Sequence, residues 1–553
     1  MSAPSARRWL ALVLALLVLW FGTLDYRKLV KPDEGRYAEI PREMVASGDW
    51  LMPHLNDIKY YEKPPLQYWA TAAAYTAFGE HQWTSRLWTA LTGFAGICLV
   101  WFAGCRLFGR TAGNYAGLLL SSSLLYVAMG HINTLDMGVT FFVTLGVLSL
   151  LLAQQAPDAR RRRHWMWLSW AGLGLAVLSK GLMGLVLPGA ALVIYSLVQR
   201  DFGLWRRLNL FSGILLFLAI TVPWFYLVIQ AHPEFFDRFF IYEHYTRFTT
   251  KDLGRYHPWW YFVPVILAGM LPWTVLMFDT LWRSWRWQAR EQLAELRVRD
   301  FNPARFLLIW AVFIYFFFSI SGSKLPSYLL PMFPPLALLM GRRLAEMRER
   351  TLIWQLVPIA LLAAAALGLS PRVSQLADTP LQAQMYGQYA YWAMASAGLW
   401  LAGLLAGMVL LARQRKWAAV LVLALSSLVA VQLVINGHNT VARERSAYHI
   451  AAVLRPLVKP AVPFYSVLTY EQTLPFYLQR TMTLVAYTDE LSFGIQQEPQ
   501  RWIPDLPAFA ARWAADPQAF ALMPLYVLPQ LQQMGLAMKE VFRDEQFVVV
   551  SKP

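Results

Sequence analysis

The sequence predicts an α-helical polytopic membrane protein with about thirteen transmembrane helices, helical outward loops and a small soluble α/β domain at its C-terminal end. Three observations predict this. Of 553 residues, 57% are hydrophobic and only 15% are charged, whereas soluble domains carry roughly 25% charged residues. Apolar runs follow one another from Trp9 to Val434 and then stop; about 18 such residues cross roughly 30 Å of hydrocarbon as a helix. Third, the arginines and lysines fall at alternate ends of those runs.

The runs lie near 9–25, 86–105, 112–130, 136–155, 165–181, 183–199, 209–229, 259–281, 306–320, 326–341, 352–370, 389–412 and 417–435. Arg7 and Arg8 precede the first, Arg106 and Arg110 follow the second, and Arg160 to Arg163 follow the fourth. Arg200, Arg206 and Arg207, then Arg283, Arg286 and Arg290, continue the pattern. It ends with Arg342, Arg343, Arg348 and Arg350, and with Arg413, Arg415 and Lys416. Basic cytoplasmic loops set orientation, so the N-terminus is expected inside and everything after Asn436 outside. The same placement explains the net charge of +16 and excludes a nucleic-acid face. Arg7-Arg8 before an apolar run also suits a secretory signal, but no small-x-small cleavage site follows, which favours an uncleaved anchor. The two cysteines, Cys98 and Cys105, share one predicted helix and suggest neither a disulfide framework nor a metal site.

The domain reading is 1–435 for the membrane domain and 436–553 for an outward α/β domain. Within the first lie two large outward loops, 26–86 and 230–260. In the first loop, 34–47 and 65–78 read as helices suited to the membrane surface. In the tail, Pro463 to Leu468, Met482 to Tyr487, Phe520 to Met523 and Phe547 to Ser551 read as strands, and stretches near 446–457, 506–515 and 527–534 as helices.

Charges at a membrane boundary are costly unless they pair, line a cavity or serve a function. That singles out Asp33, Glu34, Glu62, Lys63 and Asp136. Taken alone, Asp33-Glu34 is a helix start, Lys63-Pro64-Pro65 a rigid turn and Asp136 a cap. Their gathering on one side of the membrane, in separate loops, points instead to a polar cavity at the bilayer edge. Such a cavity suits a lipid-linked substrate, with its phosphate at headgroup level and its chain in hydrocarbon.

The stretch DEGRYAEIPREM…GDW…YYEKPPL, with FFDRFFIYEHYTRF…GRYHPWW and SGSKLPSYLLPMFPPLALL, resembles the GT-C superfamily of lipid-linked glycosyltransferases. Within that superfamily it is similar to the bacterial lipid A aminoarabinose transferases, glycosyltransferase family 83. The likeness covers most of residues 1–340, and the tail holds no motif that extends it. The resemblance implies an inverting transfer of 4-amino-4-deoxy-L-arabinose from undecaprenyl phosphate to a lipid A phosphate. The reaction would take place at the periplasmic face of a Gram-negative inner membrane and confer resistance to polymyxin and other cationic peptides. Carried over by residue, it implies Asp33, Asp136 and Glu62 as catalytic positions. Lys63, Arg247 and Arg255 would bind the donor phosphate, and Tyr37, Tyr60, Lys324 and Tyr328 would line the pocket. Glu62 and His244 are candidates for a divalent metal ion, since some members of the superfamily are metal-dependent.

The chemistry fits these roles. Glycosyl transfer leaves negative charge on the departing phosphate, which fixed cations stabilise in a water-poor site. A hydroxyl acceptor needs a base; a phosphate, with its second pKa near 6, is already largely ionised. Asp33 is therefore expected to orient the substrate or pair with the sugar's ammonium, and not to act as an obligatory strong base. Two other readings compete. One is a GT-C transferase that moves another lipid-linked sugar to protein or glycan. The other is a transporter of lipid-linked substrate, disfavoured because midplane charges are nearly absent.

Overall fold

The structure, a computed structural model, describes the backbone of residues 6–246, 257–294 and 301–553, and the side chains of all of these but 6–10, 244–246 and 285–294. Its contacts divide the chain into two units, one of Met1–Leu24 with Trp88–Gly437 and the other of Asp25–Leu87 with His438–Pro553. The 26–86 loop, which the sequence reading placed within the membrane domain, is thus grouped by its contacts with the tail. Its side chains are the reason: Lys31 pairs with Glu471 at 2.8 Å, Arg36 pairs with Glu490, and Asn56 exchanges two hydrogen bonds with the Met482 backbone at 2.6 and 2.8 Å.

In the helical unit, seven described helices are long and apolar enough to span a membrane: Gln82–Phe108, Leu135–Gln154, Leu210–Ala231, Pro303–Ile320, Glu349–Leu376, Pro380–Ala412 and Lys416–Arg445. Ala11–Phe21 and Met183–Gln199 are shorter apolar helices. Where helices pack in lipid, small residues allow close approach. A Cβ on Gly172 would meet the Gly146 nitrogen at 2.8 Å, and Ser169 donates to the Gly146 carbonyl at 2.7 Å. These contacts bind helix Ala159–Lys180 to helix Leu135–Gln154.

Three expected runs are broken rather than straight. The 259–281 run is a bent pair, Trp259–Gly269 and Thr274–Ser284, meeting at 114°. The 112–130 run is two helices, Arg110–Leu120 and Leu124–Met129, and 326–341 opens as a 3₁₀ turn, Pro326–Met332. At the second break, Ser121, Ser122 and Ser123 hydrogen-bond back to the Leu118 and Leu119 carbonyls, competing with the helix ladder. The first two breaks meet. The Leu124 N–H donates to the Leu271 carbonyl at 3.2 Å, and the Trp273 indole donates to Ser122 at 2.9 Å. Non-helical backbone in a spanning unit is tolerated where protein satisfies it in this way.

In the second unit, the Asp33–Ser47 helix matches the expected 34–47, and Leu66–Phe78 matches 65–78. A surface helix keeps a solvent face, but Glu34–Met44 is buried throughout, charges included. The Asp33–Ser47 helix is therefore a core element of its unit. A Cβ on Gly35 would meet the Gln472 carbonyl oxygen at 2.6 Å, so only glycine lets the helix lie this close to the tail. Strands β1 (His54–Leu55) and β2 (Ile58–Lys59) form a hairpin. Its turn residues, Asn56 and Asp57, both have positive φ, as a type I′ turn requires.

The tail strands are β3 (Phe464–Val467), β4 (Thr483–Val485), β5 (Trp502–Ile503), β6 (Phe520–Pro524), β7 (Lys539–Arg543) and β8 (Phe547–Ser551). They lie in the order β5-β4-β3-β6-β8-β7. The β3–β4, β3–β6 and β4–β5 pairs are parallel, and β8 pairs antiparallel with β6 and β7. Tyr465, Val467, Phe509, Trp513, Met523, Val548 and Val550 form a buried core on one side of this sheet.

Candidate active site

The Asp33–Ser47 helix begins after Pro32 without a side-chain cap, with Asp33 and Glu34 in its first turn, where carboxylates complement the helix dipole. The two then diverge. Glu34 accepts from Arg27 at 2.6 and 2.9 Å, from Arg86 at 2.8 and 3.1 Å, and from the Val30 N–H at 3.0 Å. Burial alone would raise its carboxyl; the Arg27 and Arg86 guanidiniums overcome this and hold it well below the usual carboxylate range. The Asp33 side chain stays 44% exposed and meets Arg36, one turn on, at 3.3 Å.

Arg36 is the hub of the cluster in this unit. Its guanidinium bridges Asp33 and Glu490 and lies over the Tyr37 ring at 5.7 Å. Tyr37 in turn stacks on Tyr68, with centroids 6.2 Å apart. The Tyr60 hydroxyl donates to Glu62 at 3.0 Å. Lys63 lies 3.7 Å from the Glu62 carboxylate and donates to the Glu62 carbonyl at 2.9 Å. Asp33, Tyr37, Tyr60, Glu62 and Lys63 are thus carried by one unit, on a short stretch closed by Pro64 and Pro65.

The helical unit carries other candidate residues. Asp136 stands in the first turn of helix Leu135–Gln154, and Lys180 ends helix Ala159–Lys180. Each charge sits at the helix end whose dipole favours it, and the two form an ion pair. The Lys180 ammonium lies 5.1 Å above the Tyr328 ring, so Asp136 and Tyr328 share a neighbour. Lys324 is buried and donates to the Ser321 and His257 carbonyls, tying two loops together. Arg247 and Arg255 lie outside the described residues, as does the His244 side chain. Among the described residues no group of three or more His, Cys, Asp or Glu is placed to hold a metal ion.

Sequence reasoning singles out none of Arg36, Lys180 and Glu490. The i, i+3 spacing of Asp33 and Arg36 was a local signal. Glu490 had none, because its partner is more than 400 residues away in the chain. The set as a whole can fix an anion at Lys63 and orient a polar ligand between Asp33, Arg36 and the tyrosines.

Residues 450–552 match the model for the aminoarabinose transferase C-terminal domain, and residues 5–237 match that for dolichyl-phosphate-mannose-protein mannosyltransferases. The tail therefore carries a family signature that no short motif displayed. The chain is 32% identical over 346 residues to the undecaprenyl phosphate-alpha-4-amino-4-deoxy-L-arabinose arabinosyl transferase of Enterobacter sp. (strain 638), a match covering 62% of this chain and 60% of that one. It is 32% identical over 401 residues to the protein of the same name from Aeromonas salmonicida (strain A449), covering 70% of this chain and 71% of that one. The chain thus spans about three fifths of the length of the Enterobacter relative. The crystal structure of ArnT from Cupriavidus metallidurans bound to undecaprenyl phosphate superposes with a TM-score of 0.93 at 40% identity, covering 99% of both chains. By fold and by sequence, this chain belongs to the aminoarabinose transferase family, multi-pass membrane proteins with a GT-C fold.

Proposed function

We propose that this protein transfers 4-amino-4-deoxy-L-arabinose from undecaprenyl phosphate to a phosphate of lipid A at the periplasmic face of a Gram-negative inner membrane. The observation that carries this reading is the near-complete superposition on a relative crystallised with undecaprenyl phosphate. Modification of this kind masks anionic charge on lipid A and so lowers its attraction for polymyxin and other cationic peptides.

In this reading Lys63, with Arg247 and Arg255, steadies the leaving phosphate, whose charge grows as the glycosidic bond breaks. Asp33 orients the donor sugar. An ionised phosphate acceptor has no proton to surrender, so no strong base is required. Asp136, held by Lys180, and Glu62, held by Tyr60, are the remaining catalytic carboxylates. Tyr37, Tyr60, Lys324 and Tyr328 belong to the walls of the pocket. If a divalent ion takes part, Glu62 and His244 would hold it and it would add positive charge beside the leaving group. We also place the N-terminus in the cytoplasm. Loop and tail pack as one unit, which supports an even number of crossings between them and a shared periplasmic location.

The test is mass spectrometry of lipid A from a strain lacking its own transferase. Complementation with this chain should add one aminopentose, and Asp33→Ala should abolish the addition. No added mass, from protein present in the membrane and with donor available, would move the assignment to another lipid-linked sugar or acceptor.

A further inference from the structure

The polar cluster around Arg36 contains groups that the transfer step does not use. One guanidinium faces two carboxylates, Asp33 and Glu490, while Glu62 is already engaged by Tyr60 and Lys63. Burial raises the Glu490 carboxyl by more than Arg36 lowers it, so this carboxylate is short of positive charge. Two hydroxyls beside the pair, Tyr68 and Tyr470, are fully enclosed and make no hydrogen bond. A buried donor left without a partner forfeits its hydration, so an unpaired one calls for a ligand or another explanation. Among the described residues, the cluster thus sets two carboxylates on one guanidinium and offers two idle hydroxyls, in a unit that also carries Asp33 and Lys63.

We propose that Glu490, aided by the Tyr470 and Tyr68 hydroxyls, reads the amino group of the donor sugar, making the C-terminal segment the specificity element of the transferase. This rests on the donor named above. The ammonium sits against Glu490, with Arg36 holding the carboxylate in place, and the two tyrosines accept from the amine or bond to ring hydroxyls. A neutral sugar of the same shape leaves Glu490 with only its share of Arg36 and is discriminated against. No covalent step is involved.

The test compares two donors on the purified full-length protein: undecaprenyl phosphate carrying the aminopentose, and its analogue with hydroxyl in place of the amine. The wild type should favour the amino donor by about 100-fold in kcat/KM, the scale for leaving a buried charge unpaired. Glu490→Gln should lose about 100-fold on the amino donor, chiefly through KM, and stay within about 3-fold on the hydroxy donor. Glu490→Asp should recover part of the loss, and Tyr470→Phe should weaken both donors about 10-fold. Equal losses of Glu490→Gln on both donors would mark a structural role and overturn the proposal, as would an unchanged preference. A wild type that turns over neither donor would instead overturn the transferase reading itself.

Discussion

In the helical unit Asp136 and Lys180 pair from two helix ends, and Asp279 pairs with Arg343 at 2.7 Å and with Arg283 at 2.9 Å, while Leu135–Gln154 is buried along most of its length on apolar and small side chains. The unit of Asp25–Leu87 and His438–Pro553 does the opposite. Glu34, Arg36, Glu39, Arg42, Glu43 and Arg86 are all buried there, and Glu39 and Arg42 bond at 2.5 and 2.7 Å. Glu43 accepts from the Asn56 and Asp57 N–H groups at 2.5 and 2.7 Å. Burial, with Glu39 nearby, raises the Glu43 carboxyl well above its ordinary value. The difference teaches where each unit can hold charge. A lipid-spanning helix restricts charge to its ends or to function, whereas a water-side domain encloses charge when most of its hydrogen bonds are met.

That contrast can be broken by mutation. The largest effect is expected for Glu34→Ala, which leaves Arg27 and Arg86 buried without their shared anion and lowers stability by about 3–5 kcal/mol, read by thermal unfolding of the purified protein. A loss under about 1 kcal/mol would show that the network is not a structural centre. Next, Asp136→Ala should destabilise by about 2–4 kcal/mol, and adding Lys180→Met should restore much of that, because the stranded ammonium is the penalty. If the double variant is worse than the single, the pair is not isolated.

Acid should separate the units as well. The folded Glu34 carboxyl lies below its unfolded value of 4.5, so its stabilisation is complete above that pH and is lost as pH falls through it. Melting temperatures between pH 7 and pH 3 should fall more steeply in the wild type than in Glu34→Gln; parallel curves would refute this. The smallest effect, about 0.5 kcal/mol or less, is expected for Asp57→Ala, whose pair with Arg501 is largely exposed.

Much of the fold was legible because the signals are local. Apolar length found the long helices, and short runs rich in apolar residues found β3, β4, β6 and β8 at 464–467, 483–485, 520–524 and 547–551. The missed strands β5 and β7 are, respectively, two residues long and charged at an edge, which leaves no alternation to read. The helix breaks escaped because serines beside an apolar run do not change its mean hydropathy. Asp33, Glu62, Lys63 and Asp136 stood out as charges near a membrane boundary. Arg36 bridging to Glu490 did not, since a long-range partner leaves no periodic trace.

The pairing of loop and tail also has a consequence for how the protein is made. The loop is complete early in synthesis, yet its partners Glu471, Met482 and Glu490 follow only after about 350 intervening residues have been translated and inserted. At 5–20 residues per second, that is a wait of roughly 20–70 s. During that time Arg36 and Asn56 lack their partners from the tail, and the Gly35 face of the loop helix is uncovered. Closing so long a loop is slow compared with forming local helices. The unit that carries Asp33, Arg36 and Lys63 can therefore be assembled only after the last membrane helix has left the ribosome, so a truncated chain would insert into the membrane without it.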